Sequence, residues 1–265
     1  MATTVFLLAL LAHLSADFLF QTEGLVRARA QGGIGPYALH GGIVAAAVFA
    51  ALHPFGPLPA AIFGAIAAAL HAPVDWAKDR LRRAAGPPAA PGIFLADQAL
   101  HLFVLSILAR RLEFRSDGRL LSFYRSLWGA HALGAAAGIP AAAGADPERV
   151  LLVLAAYVAV VFGGAVLVRE VLEAVRVAPA GSEPDRAARG RASRYIGLLE
   201  RGLILTLILA DAASAVGLVM AAKSVARFKE LDEKGFAEYY LVGTLASTAL
   251  AVAGGVLTRA ILPHL

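Results

Sequence analysis

The sequence predicts an all-α, polytopic membrane protein, and three observations carry that expectation. Hydrophobic residues make up 59% of the chain and the mean hydropathy is +0.70, well above the level of a soluble domain. Apolar runs long enough to cross a bilayer recur from end to end. Runs of that kind resolve as helices, because an open sheet leaves its backbone polar groups unsatisfied in lipid.

About seven spans are expected: residues 3–20, 36–52, 59–78, 92–109, 149–169, 197–222 and 237–262. The first has no basic leader and is interrupted by His13 and Asp17, so it reads as a retained helix rather than a cleaved signal. The second carries His40 near its N-terminal end. The third carries His71 and Asp75, with Pro73 between them freeing the carbonyl of Ala69. The fourth carries Asp97 and His101. Residues 1–110 are therefore expected to form a four-helix membrane bundle. Residues 111–148 read as a mixed connector. Basic residues run from Arg110 and Arg111 through Arg115, Arg119 and Arg125, and an Ala/Gly-rich run then ends at Asp146. That run fits a further span, a re-entrant piece or a surface helix. Residues 149–265 supply the C-terminal helices, with an Arg-rich loop at 172–196. Within 197–222, Glu200 and Asp211 fall on one helical face with Arg201 beside the first. Tyr239 and Tyr240 suit an interfacial aromatic belt.

Three short signatures concentrate the chemistry: His13-Leu-Ser-Ala-Asp17, His71-Ala-Pro-Val-Asp75 and Asp97-Gln-Ala-Leu-His101. The first two continue into an aromatic residue, a weak internal repeat. An i, i+4 spacing puts imidazole and carboxylate on one helical face, one turn apart. Ionisable groups are expensive in a bilayer and normally face a bundle interior. If the first four spans are two antiparallel hairpins, all three pairs and His40 fall within about two turns, roughly 10 Å, of one membrane face. With no cysteine in the chain, the donor set is nitrogen and oxygen alone, which suits zinc, manganese or ferrous iron. His13, Asp17, His40, His71, Asp75, Asp97 and His101 are the expected ligands of one or two divalent transition-metal ions, zinc favoured. Asp97 and Asp75 are the candidates for a catalytic carboxylate. Gln21 and Gln98 are expected to support the ligands. His53, His131 and His264 sit at loop or terminal positions and read as surface residues.

Arg27, Arg29, Lys78, Arg80, Arg82 and Arg83 flank the ligand-bearing face, whereas the loop His53-Pro-Phe-Gly-Pro-Leu has no lysine or arginine. The basic-loop bias makes the ligand face cytoplasmic and the N-terminus external. The basic loops of the second half do not alternate cleanly, so the rule fixes only the first half. The net charge of +5 lies mainly in loops and fits anionic lipid headgroups better than a nucleic-acid surface.

Leu-Ala-His13-Leu-Ser-Ala-Asp17-Phe-Leu-Phe-Gln21, with the His71/Asp75 and Asp97-Gln98/His101 elements, resembles the membrane family called domain of unknown function 3307. Residues 221–229 and 238–244 are similar to its longer members. The resemblance implies a bacterial, multi-spanning protein of the inner membrane and assigns no reaction. Residue chemistry leads to a membrane-embedded, metal-dependent hydrolase. Its substrate would be a membrane lipid or an amphiphilic small molecule entering from the cytoplasmic leaflet, phosphate-bearing if the basic residues bind it. Arg27, Arg29, Arg82, Arg83, Glu200 and Arg201 are the candidate substrate contacts. Two other readings stand beside it: a divalent-cation or proton transporter, and a non-catalytic scaffold with a structural polar core.

Overall fold

The computed structural model describes residues 1–30, 33–114, 146–175, 183–232 and 234–265. Among these residues there is no strand. The helices are α1 (Ala2–Phe18), α2 (Glu23–Ala30), α3 (Ile34–Leu52), α4 (Pro57–Ala85), α5 (Ala90–Arg111), α6 (Pro147–Ala174), α7 (Glu183–Leu209), α8 (Ala215–Ala226) and α9 (Lys234–Ile261), with short 3₁₀ turns between some of them. The protein is a multi-pass, all-α membrane protein. Among the described residues, five helices are long and apolar enough to cross a bilayer: α3, α4, α5, α6 and α9, three of them with their flanking turns. The pair α1 and α2, bent by 82°, makes a sixth if it is one span.

This differs from the expected count of about seven spans: 3–20 counts only if α1 and α2 make one span, and 197–222 does not count. That run is broken after Leu209. Asp211 adopts φ 61°, its N–H bonds to the Ile208 carbonyl, and the Ala212 N–H reaches back to Leu207. This is the Schellman arrangement, with aspartate in the left-handed position that glycine usually fills. The chain restarts at Ala215 as a helix of 12 residues. Most of the connector 111–148, including Arg115, Arg119, Arg125 and His131, and part of the loop 172–196 lie outside the described residues.

Two compact units are present. Met1–Trp76, Ala99–Ala155 and Leu265 form the first; Ala77–Gln98 and Ala156–His264 form the second. In the first unit, apolar residues of four helices build one core: Val5 and Ala9 of α1, Val44, Val48 and Leu52 of α3, Ala60, Phe63 and Ala67 of α4, and Leu105 and Leu108 of α5. Small residues let α3 and α4 approach closely. A methyl group placed on Gly64 would stand 2.8 Å from the Ala45 carbonyl oxygen, nearer than a side chain tolerates. Leu39, Leu58, Ile62, Leu70 and Phe103 point outward and are exposed, while His13, Asp17, His40, His71, Asp75 and His101 are buried. Apolar outside and ionisable inside is the distribution a bilayer imposes. After α1, Thr22 starts α2. Its Oγ1 accepts from the Leu25 N–H at 3.3 Å and its carbonyl from Val26, turning the chain sharply. Gly86, at φ 73°, ends α4 after 29 residues.

In the second unit, Val160, Ile204, Leu205, Ile208 and Ala251 form a separate core. The middle of α6, Val158–Gly163, is π-helical. A π turn shifts the backbone ladder from i→i−4 to i→i−5 and leaves a carbonyl available to another partner.

Candidate metal centre

Six of the seven expected ligands come together in the first unit. α1 contributes His13 and Asp17, α3 His40, α4 His71 and Asp75, and α5 His101. All six are buried, none more than 8% exposed. Four helices thus deliver these groups to one level, just beyond the apolar core formed by Val5, Val48, Phe63, Leu105 and their neighbours. The i, i+4 pairs do so because each places its two groups one turn apart on the inward face. α4 runs continuously through Pro73, so the proline does not separate His71 from Asp75.

The geometry is tight. Asp17 Oδ1 stands 3.2 Å from His40 Nε2 and 3.5 Å from His71 Nε2. Asp75 Oδ2 stands 3.6 Å and 3.3 Å from the same two nitrogens. Asp17 Oδ2 faces His13 Nε2 at 3.6 Å. Ring centroids of His71 and His101 are 4.2 Å apart, and those of His13 and His101 4.8 Å. Adjacent ligands of a tetrahedral first-row metal, with bonds of 2.0–2.1 Å, stand roughly 3.3 Å apart. Two overlapping groups satisfy this scale: His13, Asp17, His71 and His101, and His40, His71 and Asp75. In each, one ligand atom per residue lies within 4.8 Å of all the others. Buried nitrogens need partners, yet His13 Nε2 and His40 Nδ1 have no hydrogen bond among the described residues. Nitrogen and oxygen donors, buried and convergent, fit a divalent transition metal.

Asp97 stands outside both groups. Its Oδ2 accepts from Lys78 Nζ at 3.2 Å and from Gln98 Nε2 at 3.1 Å. The i, i+4 relation to His101 predicts a shared face, but an ammonium on α4 holds the Asp97 carboxylate. Gln98 accordingly supports Asp97 rather than a ligand in either group.

Arg29 is the group that sequence reasoning placed differently. It is not part of an exposed rim: it is 4% exposed, and its guanidinium ion-pairs with Asp75 Oδ2. It also lies over the Tyr37 ring, 5.7 Å from the centroid. Gln21, with its amide oxygen turned to Arg29, accepts from both terminal nitrogens at 3.2 and 3.0 Å. The bend between α1 and α2 delivers Arg29 there, and a run of loop arginines gives no hint of it. Arg27, Arg80 and Arg83 are exposed.

The remaining candidates lie in the second unit. Arg82 pairs with the buried Glu170 at 2.7 Å and with Glu173 at 2.8 Å. Glu200 pairs with Lys223 at 2.5 Å. Arg201, 3% exposed, donates through Nε and Nη2 to the Val161 carbonyl at 3.1 and 3.0 Å, and through Nη1 to Ser247 Oγ at 3.1 Å. Val161 belongs to the π turn, which explains why its carbonyl can accept two such bonds. Asp211 is not on the face of Glu200. It lies past the helix end and pairs with Arg259 at 2.5 Å.

Residues 5–127 match the family described as "Protein of unknown function (DUF3307)". All six convergent residues fall inside the match, whereas the C-terminal segments that resemble longer members lie beyond it. No curated protein and no solved structure matches the chain.

Proposed function

We propose that the protein is a membrane-embedded, metal-dependent hydrolase whose substrate is an amphiphile carrying a phosphate or comparable anionic group. The observation that carries the reading is the convergence of three His/Asp-bearing helices and His101 on one buried level. Holding four imidazoles and two carboxylates in an apolar interior is costly unless a cation compensates them. A bound divalent metal would supply a water of lowered pKa and a Lewis acid for an oxyanion. The protein's own part is to position that metal and exclude bulk water.

The apolar core on one side of the centre favours an enzyme over a transporter. Val5, Val44, Val48, Leu52, Ala60 and Phe63 close the bundle there, and an ion passing them would meet a hydrocarbon barrier. The basic loops support placing the open side at the cytoplasmic face of a bacterial inner membrane.

The test uses protein purified without chelator or nickel affinity. Elemental analysis should find a first-row metal, zinc favoured, and hydrolysis of an amphiphilic phosphoester in detergent should depend on it and vanish in His71→Ala. Less than a tenth of an equivalent, not restored by added metal, overturns the metal centre. Saturable divalent-cation uptake into proteoliposomes that is lost in His71→Ala makes the protein a transporter instead.

A further inference from the structure

We propose that Arg29 takes the place of a second metal ion, so that the centre holds a single ion; this rests on the metal-centre reading above. The donor set alone allows two ions, since the two groups overlap only at His71. The second group is His40, His71 and Asp75, and the carboxylate oxygen that faces both imidazoles is Asp75 Oδ2. That same oxygen receives the Arg29 guanidinium. A fixed cation therefore already occupies the position from which a second ion would bind Asp75.

Charge leads to the same result. Asp17 and Asp75 bring two negative charges and Arg29 one positive charge, all three side chains being nine-tenths or more buried. With neutral imidazoles the cluster stands at −1. One divalent ion would bring it to +1, which a single anionic group would neutralise. A second divalent ion beside the guanidinium would bring +3 into an apolar interior, a burden such sites do not carry without further anions. The guanidinium is anchored for this role by Gln21 and Tyr37. His13, Asp17, His71 and His101 then hold the single ion, and His40, bonded to Asp17 Oδ1 at 3.2 Å, orients that ligand.

The experiment is titration of the metal-stripped full chain with Mn²⁺, read by elemental stoichiometry and by electron paramagnetic resonance. Wild type should saturate at about one equivalent, with the six-line signal of an isolated ion. Arg29→Met should rise towards two equivalents and show an exchange-coupled pair, while Arg29→Lys stays at one. Two equivalents and a coupled spectrum in wild type overturn the proposal while leaving the metal centre intact. So does an Arg29→Met variant that elutes as folded protein and still saturates at one. If Arg29→Met does not fold, the wild-type spectrum decides alone. No binding of Mn²⁺ or Zn²⁺ by wild type defeats the metal centre itself, a separate outcome.

Discussion

Replacing both partners of the Arg29–Asp75 pair should damage the metal-free protein less than replacing either one. Both side chains are almost wholly buried, at 5% and 2% exposure, so neither charge finds water when its partner is removed. Asp75→Asn strands a guanidinium whose Nε has no hydrogen-bond partner among the described residues. Arg29→Met strands a carboxylate between two imidazoles. Breaking a buried pair from one side costs about 3–5 kcal/mol, whereas replacing both partners with groups of similar volume is often neutral. Taking about 3 kcal/mol for each single variant, independence predicts about 6 for the double variant, comparable to the whole stability of a marginal domain. Coupling should hold the double variant to about 3 or less, the upper range for residues in contact. The assay is equilibrium unfolding in mild detergent with chelator present, followed through the fluorescence of Trp76, the residue after Asp75. A double variant that loses the sum of the two single effects would refute the pairing and with it the account of Arg29.

Asp17→Asn should keep the fold and lose metal, because it removes the charge of a carboxylate that faces His13, His40 and His71 while keeping the side-chain volume; elemental analysis beside a gel-filtration profile checks both halves. Gly64→Val should destabilise by about 1–3 kcal/mol through overpacking against the Ala45 carbonyl, read as a lower melting temperature in detergent. Asp211→Gly should be neutral or stabilising by up to about 1 kcal/mol. It relieves a left-handed backbone and gives up only an exposed pair with Arg259, and thermal unfolding measures the sign. Arg201→Met should cost stability without touching metal content, since its hydrogen bonds go to Val161 and Ser247; an Arg201→Met protein stripped of metal would contradict this.

The polytopic class and most of the centre were legible because both are written in local periodicity. Long apolar runs define helices wherever they fold. An i, i+4 pair keeps its two groups on one face of any helix that forms. His13 with Asp17, and His71 with Asp75, are therefore placed by spacing alone, and antiparallel hairpins bring His40 and His101 to their level. Asp97 obeys the same spacing, yet lies in neither group. Which cation a carboxylate meets is decided by another helix, and Lys78 reads in sequence only as one of several loop charges. The break at Asp211 was hidden for a related reason: helix stops are recognised by glycine, and here an aspartate takes the left-handed position. The π turn of α6 leaves no mark in an all-apolar run.

Arg29 shows where periodicity stops and chemistry begins. A basic residue near a membrane face is ordinarily a topology signal, solvated or resting on headgroups. Here an 82° bend between α1 and α2 turns one such residue inward, and Asp75 supplies the charge that makes its burial tolerable. The orientation signal and the centre's charge balance therefore share a residue. Of the basic residues counted for topology, Arg27, Arg80 and Arg83 remain exposed to do that work. Arg29 instead contributes a positive charge to the buried cluster, and the single-ion proposal rests on that charge and on its pairing with Asp75.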